Sequence, residues 1–259
     1  MTELILTPEI AIVLFVLGLC FGSCITLLSY RLPLEEKVGM TRSQCTKCQK
    51  KLGLRDLVPV FSWVASGGKC RQCSVKVHWR YPAIEVITGL ATVGLAYLIG
   101  LTVLYIWVLL LVLSIITLIV TDLEHYIIPD ELQITMLIAG IGFAISAEVP
   151  YEEPIYGFAA GLSIGLLLKY GFLYLRNKDG LGMGDVKLLA VVGVWLGVEP
   201  LVPYLFYSGV IGVVSALLWR MLGRGEVFPF GPALAIALLI CLLFPNVPDA
   251  FWHLDRLLF

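Results

Sequence analysis

Residues 103–122 read VLYIWVLLLVLSIITLIVTD, an apolar run that carries no charge until it ends at Asp122. A helix crosses the hydrocarbon core of a bilayer with about 17 to 25 such residues. The whole chain has the same character: 59% of its 259 residues are hydrophobic, 14% are charged and the mean hydropathy is +0.93. In a soluble domain about a quarter of the residues are charged. The composition therefore excludes a soluble domain, a disordered chain and a disulfide scaffold, and it predicts a polytopic membrane protein.

Similar runs recur along the chain and predict an all-α membrane protein with about eight transmembrane helices. The runs lie near 9–29, 83–101, 103–121, 131–147, 155–175, 186–199, 201–219 and 231–247. One segment between them is polar and too long for an ordinary helix connection. We therefore predict a first helix in 1–30, a polar loop domain in 31–82, a seven-helix membrane domain in 83–247 and a C-terminal tail in 248–259.

The distribution of basic residues predicts the orientation in the membrane. With eight spans, one side carries sixteen of the eighteen Lys and Arg residues, eleven of them in 31–82. The other side holds both termini and carries only Arg256. By the positive-inside rule, 31–82 faces the cytoplasm and both termini lie outside the inner membrane. Because no Lys or Arg precedes the first run, we expect a retained helix and not a cleaved signal peptide.

Two CxxC pairs in the polar loop predict a metal site. Cys45 and Cys48 form one pair, and Cys70 and Cys73 form the other. Together they supply the four thiolates of a tetrahedral zinc site, which leaves no open position and is therefore structural. Two disulfides or a redox-active pair are the alternatives, although the cytoplasm is reducing and no βαβ pattern is visible. We expect a small zinc-ribbon-like loop domain.

Two acidic residues stand at the cytoplasmic ends of apolar runs. Asp122 closes the third run, and Asp185 ends the sequence Gly182-Met183-Gly184-Asp185 before the sixth. Acids at such positions are costly and usually functional. A close pair of carboxylates can activate a water with one member and protonate a leaving group with the other. The pair predicts acid–base hydrolysis of a peptide bond.

Structural roles explain the same acids and remain open from position alone. Asp185 is a good cap for the sixth helix, and Asp122 could pair with Lys187 or His125. Asp130 has the position of a cap for the fourth helix. A transporter that uses the acids as a proton relay, and a scaffold that recruits partners through the zinc loop, are rival functions.

Taken together and in order, these elements resemble the bacterial type IV prepilin peptidases over nearly the whole chain. The matching elements are Phe21-Gly22-Ser23, Tyr30-Arg31-Leu32-Pro33, the four cysteines in 43–48 and 68–73, Pro59-Val60-Phe61-Ser62-Trp63 between them, Arg80-Tyr81-Pro82-Ala83-Ile84-Glu85, Asp122-Leu123, Ile128-Pro129-Asp130 and Gly182-Met183-Gly184-Asp185-Val186-Lys187. The last element resembles the GxGD motif of intramembrane aspartyl proteases. Each element alone is weak evidence, but their order is specific.

The resemblance implies a bifunctional enzyme. Members of this family remove a basic leader from prepilins and pseudopilins at the cytoplasmic face, then methylate the new N-terminal amine with S-adenosylmethionine. By motif position, Asp122 and Asp185 would be the catalytic residues. The residues expected to support them are Gly182, Gly184, Lys187 and Asp130. The methyl-donor site is not identified by the resemblance, and its candidates are Glu85, which could instead pair with Arg80, and Lys69.

One motif departs from the family. The usual Gly-Ser-Phe-Leu-Asn of the first span is replaced by Gly22-Ser23-Cys24-Ile25-Thr26, so a leader peptidase without methylation is the alternative function. The expected partners are prepilin or pseudopilin precursors and membrane lipid, which the basic loop would attract. No nucleotide or nucleic acid is expected, because no strand precedes the glycines of 182–184.

Overall fold

The structure is a computed structural model that describes residues 6–35, 43–177, 180–225 and 228–244. Within these residues the chain forms nine α-helices, two short 3-10 turns and no extended strand. The helices are α1 (Pro8–Arg31), α2 (Phe61–Ala65), α3 (Arg80–Ile99), α4 (Val103–His125), α5 (Asp130–Ser146), α6 (Glu152–Arg176), α7 (Met183–Leu196), α8 (Leu201–Met221) and α9 (Gly231–Leu243). The predicted tail 248–259, with Arg256, lies outside the described residues.

Each of the eight predicted apolar runs forms a helix, which confirms the all-α membrane fold. Among the described residues, five helices are long and apolar enough to span a bilayer on their own, namely α1 with the turn that follows it, α3, α4, α6 and α8. The helices α5, α7 and α9 have only 17, 14 and 13 residues. At 1.5 Å per residue α7 is about 21 Å long, which is shorter than the hydrocarbon core of about 30 Å.

Two kinds of local signal set the helix ends. Thr7 caps α1, since its hydroxyl accepts a hydrogen bond from the N–H of Ile10 at 3.5 Å, and Pro8 occupies the first turn. At the C-terminal end of α7, Gly197 has φ +75°, a conformation that favours glycine. The sixth run was predicted to extend to residue 199, but this glycine ends the helix at Leu196.

The chain divides into two compact units, Met1–Leu109 and Leu110–Phe259. In the first unit, α1 packs against α3 through glycines. A Cβ atom on Gly18 would lie 2.6 Å from the Cα of Gly89, and one on Gly22 would lie 2.5 Å from the Cα of Glu85. The two backbones are therefore in contact, and this contact buries Glu85 between the helices.

In the second unit, α6 and α7 pack equally closely. Gly157 of α6 contacts the backbone of Gly193, and Gly161 contacts the carbonyl of Leu189. From Val186 to Trp195 every residue of α7 except Lys187 is buried. A short helix enclosed on all sides carries its first residues, including Asp185, to the end of a packed core.

Candidate functional site

Asp122 lies near the end of α4 and is 5% exposed. Its Oδ2 atom accepts a hydrogen bond from the backbone N–H of Gly231, the first residue of α9, at 2.9 Å. The N-terminus of a helix carries partial positive charge, so α9 provides a favourable partner for this buried carboxylate.

Asp185 is the third residue of α7 and is half-buried. Its Oδ2 atom accepts a hydrogen bond from the N–H of Gly182 at 3.3 Å. Gly182 has an extended backbone and is the N-cap, the residue just before α7. The capping role of Asp185 is thus present. Asp185 also lies close enough to Asp122 to be repelled by its charge, so the residue that caps α7 is also an electrostatic neighbour of the other acid.

Ile128, in the loop after α4, brings the starts of α7 and α9 together. A Cβ atom on Gly184 would lie 3.3 Å from the Cβ of Ile128, and one on Gly231 would lie 3.2 Å from its Cδ1. Only glycine allows this approach on both sides without displacing neighbouring atoms. The ends of α4, α7 and α9 therefore meet at one place, which holds both acids.

Lys187 and Asp130 form an ion pair that joins α7 to α5. The Nζ atom of Lys187 lies 2.8 Å from each carboxylate oxygen of Asp130, and the two side chains are 49% and 63% exposed. Lys187 therefore pairs with Asp130 and not with Asp122.

The capping role predicted for Asp130 is wrong, because Pro129 is the N-cap of α5 and no side chain caps that helix.

Three residues that support the acids, namely Gln133, Lys169 and Gly231, were not identified from the sequence. Gln133 donates its Nε2–H to the carbonyl of Gly184 at 3.3 Å, and Lys169 donates to the carbonyl of Leu181 at 2.9 Å. Lys169 also attracts the carboxylate of Asp185. Lys169 is the single charge between Glu153 and Arg176 in the apolar stretch of α6, and such a position is a signal for function. Gly231 gave no such signal.

The four predicted metal ligands lie together in the first unit. The Sγ atoms of Cys45, Cys48, Cys70 and Cys73 are all within 4.8 Å of one another, and those of Cys45 and Cys73 are 3.9 Å apart. None of the seven cysteines, all of them among the described residues, forms a disulfide. The cluster can hold a metal ion.

The two CxxC segments have the same backbone geometry. The N–H of Cys45 donates to the carbonyl of Lys50 at 3.0 Å, and the N–H of Cys70 donates to the carbonyl of Val75 at 2.8 Å.

Two of the four thiols have shifted pKa values. The backbone N–H of Cys48 lowers the pKa of the Cys45 thiol to about 7. The N–H of Val75 lowers the pKa of Cys73, but desolvation and the three neighbouring thiols outweigh it and raise this pKa to about 11.

The two candidates for the methyl-donor site lie in different surroundings. Glu85 is 8% exposed and its Oε2 atom accepts a hydrogen bond from the N–H of Val60 at 2.7 Å. Ser23 of α1 lies near enough to influence this carboxylate electrostatically. Lys69 instead lines a cavity of about 380 Å³ in the polar domain. The residues Trp63, Gly68, Lys76, His78 and Trp79 share this cavity.

The altered first-span motif has local partners. The hydroxyl of Thr26 donates to the carbonyl of Ser23 within α1 at 2.8 Å, and the side chain is buried. Cys24 is exposed on the same helix. The Thr26 hydroxyl is thus used inside its own helix.

Fold and site together define an integral membrane protein with a pair of acids at one end of its helical core and a four-cysteine cluster in a polar domain. Residues 16–99 match the family model described as the bacterial peptidase A24 N-terminal domain, and residues 107–217 match the type IV leader peptidase family. The chain belongs to this family of prepilin leader peptidase/N-methyltransferases, as the sequence motifs predicted.

Several curated relatives are named prepilin leader peptidase/N-methyltransferase. The protein of Pectobacterium carotovorum subsp. carotovorum is 36% identical over 85% of this chain and 88% of its own length. That of Neisseria gonorrhoeae is 30% identical over 90% of both chains, and that of Bacillus subtilis (strain 168) is 31% identical over 93% of this chain and 96% of its own. No solved structure matches the chain.

Proposed function

We propose that this protein removes the leader peptide of prepilins or pseudopilins and then methylates the new N-terminal amine. Family membership supports both activities, because the relatives carry both in their names. The observation that carries the peptidase assignment is the meeting of Asp122 and Asp185, 63 residues apart in sequence, at one end of the second unit.

The two carboxylates act as an acid–base pair. One of them, ionised, removes a proton from a water molecule as the water attacks the scissile carbonyl. The other, protonated, donates its proton to the carbonyl oxygen, which gives a tetrahedral diol. The first aspartate then passes the proton it took from water to the departing nitrogen as the C–N bond breaks, and the second regains its proton from the hydroxyl as the new carboxyl group forms, without a covalent intermediate on the enzyme. Because such a pair titrates as a unit, the two roles belong to the pair.

The proposed active site faces the cytoplasm. Arg176 and Arg220 lie in the last turns of α6 and α8, and Lys187 lies in the first turns of α7. All three basic residues belong to the same predicted side of the membrane as the acids, and this distribution favours a cytoplasmic location. A substrate whose apolar helix stays in the bilayer would present its leader junction there.

Zinc is the metal proposed for the cysteine cluster. A tetrahedral site with Zn–S bonds of about 2.3 Å places sulfur atoms about 3.8 Å apart. The distance of 3.9 Å between Cys45 and Cys73 fits this value. With four protein ligands the ion would stabilise the fold of the polar domain and would not bind substrate.

S-adenosylmethionine is proposed to bind in the cavity beside Lys69. When bound, it supplies an electrophilic methyl group. The cavity of about 380 Å³ is within the size range of small-molecule sites. Lys69 and Lys76 would attract the carboxylate of the donor, and the rings of Trp63 and Trp79 can stack with the purine or face the cationic sulfur. Glu85 would act indirectly, because its partner Val60 immediately precedes α2, the helix that carries Trp63.

The test is mass spectrometry of the N-terminus of a co-expressed prepilin. We expect leader removal and the mass of one added methyl group with the unmodified enzyme, and neither with Asp185→Asn. Glu131→Gln is the matched control, since Glu131 is an exposed acid of α5 outside the site. Wild-type cleavage by Asp185→Asn would refute the aspartate mechanism. Cleavage without methylation by the unmodified enzyme would assign a leader peptidase only.

A further inference from the structure

The polar domain contains a short helix with two largely exposed apolar side chains. In α2, Phe61 is 68% exposed and Val64 is 65% exposed. The two residues are three positions apart and therefore lie on the same face of the helix. Leu54, in the preceding 3-10 turn, is 81% exposed. We refer to Leu54, Phe61 and Val64 as the apolar face of the polar domain.

A strained turn directs this face. Val60 has φ +60° and ψ −53°, and the N–H of Phe61 donates to the carbonyl of Pro59 at 2.6 Å. These values are those of a classic γ-turn, which is rare and is unusual for a β-branched residue. Such a conformation persists only when surrounding contacts impose it. Here the contact is the hydrogen bond of 2.7 Å from the N–H of Val60 to the buried carboxylate of Glu85.

The same hydrogen bond fixes the depth of the turn relative to α3. Glu85 is five residues beyond Arg80, the first residue of α3, and so lies about 7.5 Å along the helix axis. Trp79 precedes the helix and is 66% exposed, and tryptophan is typical of the membrane–water interface. The backbone of Val60 is thus held at a level of α3 inside that of Trp79. Phe61 follows Val60 directly in sequence and so lies near that level of α3.

The charges around the apolar face indicate a lipid surface as its partner. Arg55 adjoins Leu54 and is exposed, and Lys50 and Lys51 are exposed shortly before it. Apolar side chains bordered by basic residues are typical of segments that lie in the interface of an anionic bilayer. A second copy of the chain would bring these like charges together.

The apolar face is also connected to the metal site. The Nε atom of Arg71, between Cys70 and Cys73, lies 3.4 Å from the carboxylate of Asp56 in the 3-10 turn. Trp63 of α2 donates its indole N–H to the carbonyl of Val77 at 3.0 Å. The 3-10 turn that carries Leu54 is therefore joined to the second CxxC segment, and α2 is joined to the residues that line the cavity beside Trp63.

We propose that Leu54, Phe61 and Val64 insert into the acyl–headgroup boundary and hold the metal-binding domain against the cytoplasmic surface of the bilayer. The domain is thereby kept beside the membrane, where the amine of a membrane-embedded substrate is presented. The inference uses the proposed orientation, and the part that concerns methylation rests on the proposed function. The insertion itself requires neither catalytic proposal.

Photo-crosslinking tests the insertion directly. The full chain with p-benzoylphenylalanine in place of Phe61 is reconstituted in nanodiscs of phosphatidylethanolamine and phosphatidylglycerol, irradiated and examined by mass spectrometry. The matched control carries the probe in place of Thr46, an exposed residue between two cysteines. We expect lipid adducts several-fold more abundant at position 61 than at position 46. Equal yields at the two positions, or adducts to a second copy of the chain, would overturn the proposal.

A second variant separates insertion from folding. Val64→p-benzoylphenylalanine is compared with and without Phe61→Glu, which puts a charge into the apolar face. Since one buried Phe contributes roughly tenfold or more to partitioning, we expect the lipid adduct at position 64 to fall by about that factor. Methylation should fall with it while leader cleavage persists. An equal yield of the lipid adduct at position 64 with and without Phe61→Glu would overturn the insertion. Failure of the chain without substitutions to cleave a prepilin would refute only the proposed function.

Discussion

The carboxylate of Asp122 and the backbone N–H of Gly231, 109 residues apart in sequence, are joined by a hydrogen bond of 2.9 Å. This bond ties the end of α4 to the start of α9 and orients a buried acid through a backbone donor. The space that a side chain would need at position 231 is occupied by the same acid, since a Cβ atom would lie 2.7 Å from its Oδ2.

Gly231→Ala is therefore expected to lower the rate of prepilin cleavage by displacing Asp122. A displacement of about 1 Å in a catalytic group can cost roughly 10²-fold in rate. The measurement is single-turnover cleavage of a purified prepilin in detergent. Gly209→Ala in α8 is the control, because a Cβ atom there meets nothing within 4 Å. Equal rates for the two variants would show that Gly231 does not position Asp122.

The ion pair between Lys187 and Asp130 is expected to contribute little to stability. Because both side chains are about half exposed, Lys187→Met and Asp130→Asn should each lower the free energy of unfolding by about 0.2 to 1 kcal/mol. The free energy of unfolding of the double variant should fall by less than the sum of the two single losses, because the same ion pair is removed in all three variants. Thermal denaturation in detergent measures this. Additive losses would mean that the two residues act independently.

Cys73→Ser is expected to abolish stoichiometric zinc binding, because the site needs four thiolates. Methylation should be lost with the metal, while leader cleavage should remain, since the aspartate pair belongs to the other unit. Metal analysis by plasma mass spectrometry and the methylation assay check the two parts. Cys20→Ser is the control, as this exposed thiol of α1 lies outside the cluster and outside the altered first-span motif. Full zinc content in Cys73→Ser would contradict the site.

Zinc affinity is expected to rise with pH. The thiol of Cys73 has a raised pKa of about 11, so it still carries its proton at neutral pH and must release it when the metal binds. The apparent affinity should rise by at least about tenfold per pH unit between roughly pH 7.5 and 9. Below about pH 7 the rise should be steeper, because Cys45, with a pKa of about 7, then also loses a proton on binding.

Competition with a chromophoric chelator, using the full chain in detergent, measures this dependence. An affinity that does not change with pH would exclude these thiols as the ligands that release protons.

The features that could be predicted from the sequence are those set by local composition. Apolar runs of sufficient length specify helices in a membrane, and the spacing of Cys45, Cys48, Cys70 and Cys73 specifies a four-thiol cluster. The approach of Asp122 and Asp185 could be predicted only because the topology brought both to one side. The length of α7 was predicted less well, because it is set by a glycine at its end and by packing against α6.

The contacts that support the acids could not be predicted. Gln133, Lys169 and Gly231 reach their partners across helix interfaces. The isolated charge of Lys169 marks it as unusual in the sequence, but no local pattern identifies the group that each of the three contacts. The partner of Glu85 was missed for the same reason. Its carboxylate was expected to meet a cation, but it accepts the N–H of Val60 in a turn whose conformation depends on that bond.

The most direct test of the account compares single-turnover cleavage of a prepilin by Asp122→Asn, by Asp185→Asn and by the double variant, each shown to be folded by thermal denaturation. If the two carboxylates act as one acid–base pair, each single substitution should lower the rate by at least about 10²-fold, and the double variant should be little slower than either. Wild-type cleavage by either single variant, with folding intact, would contradict the account.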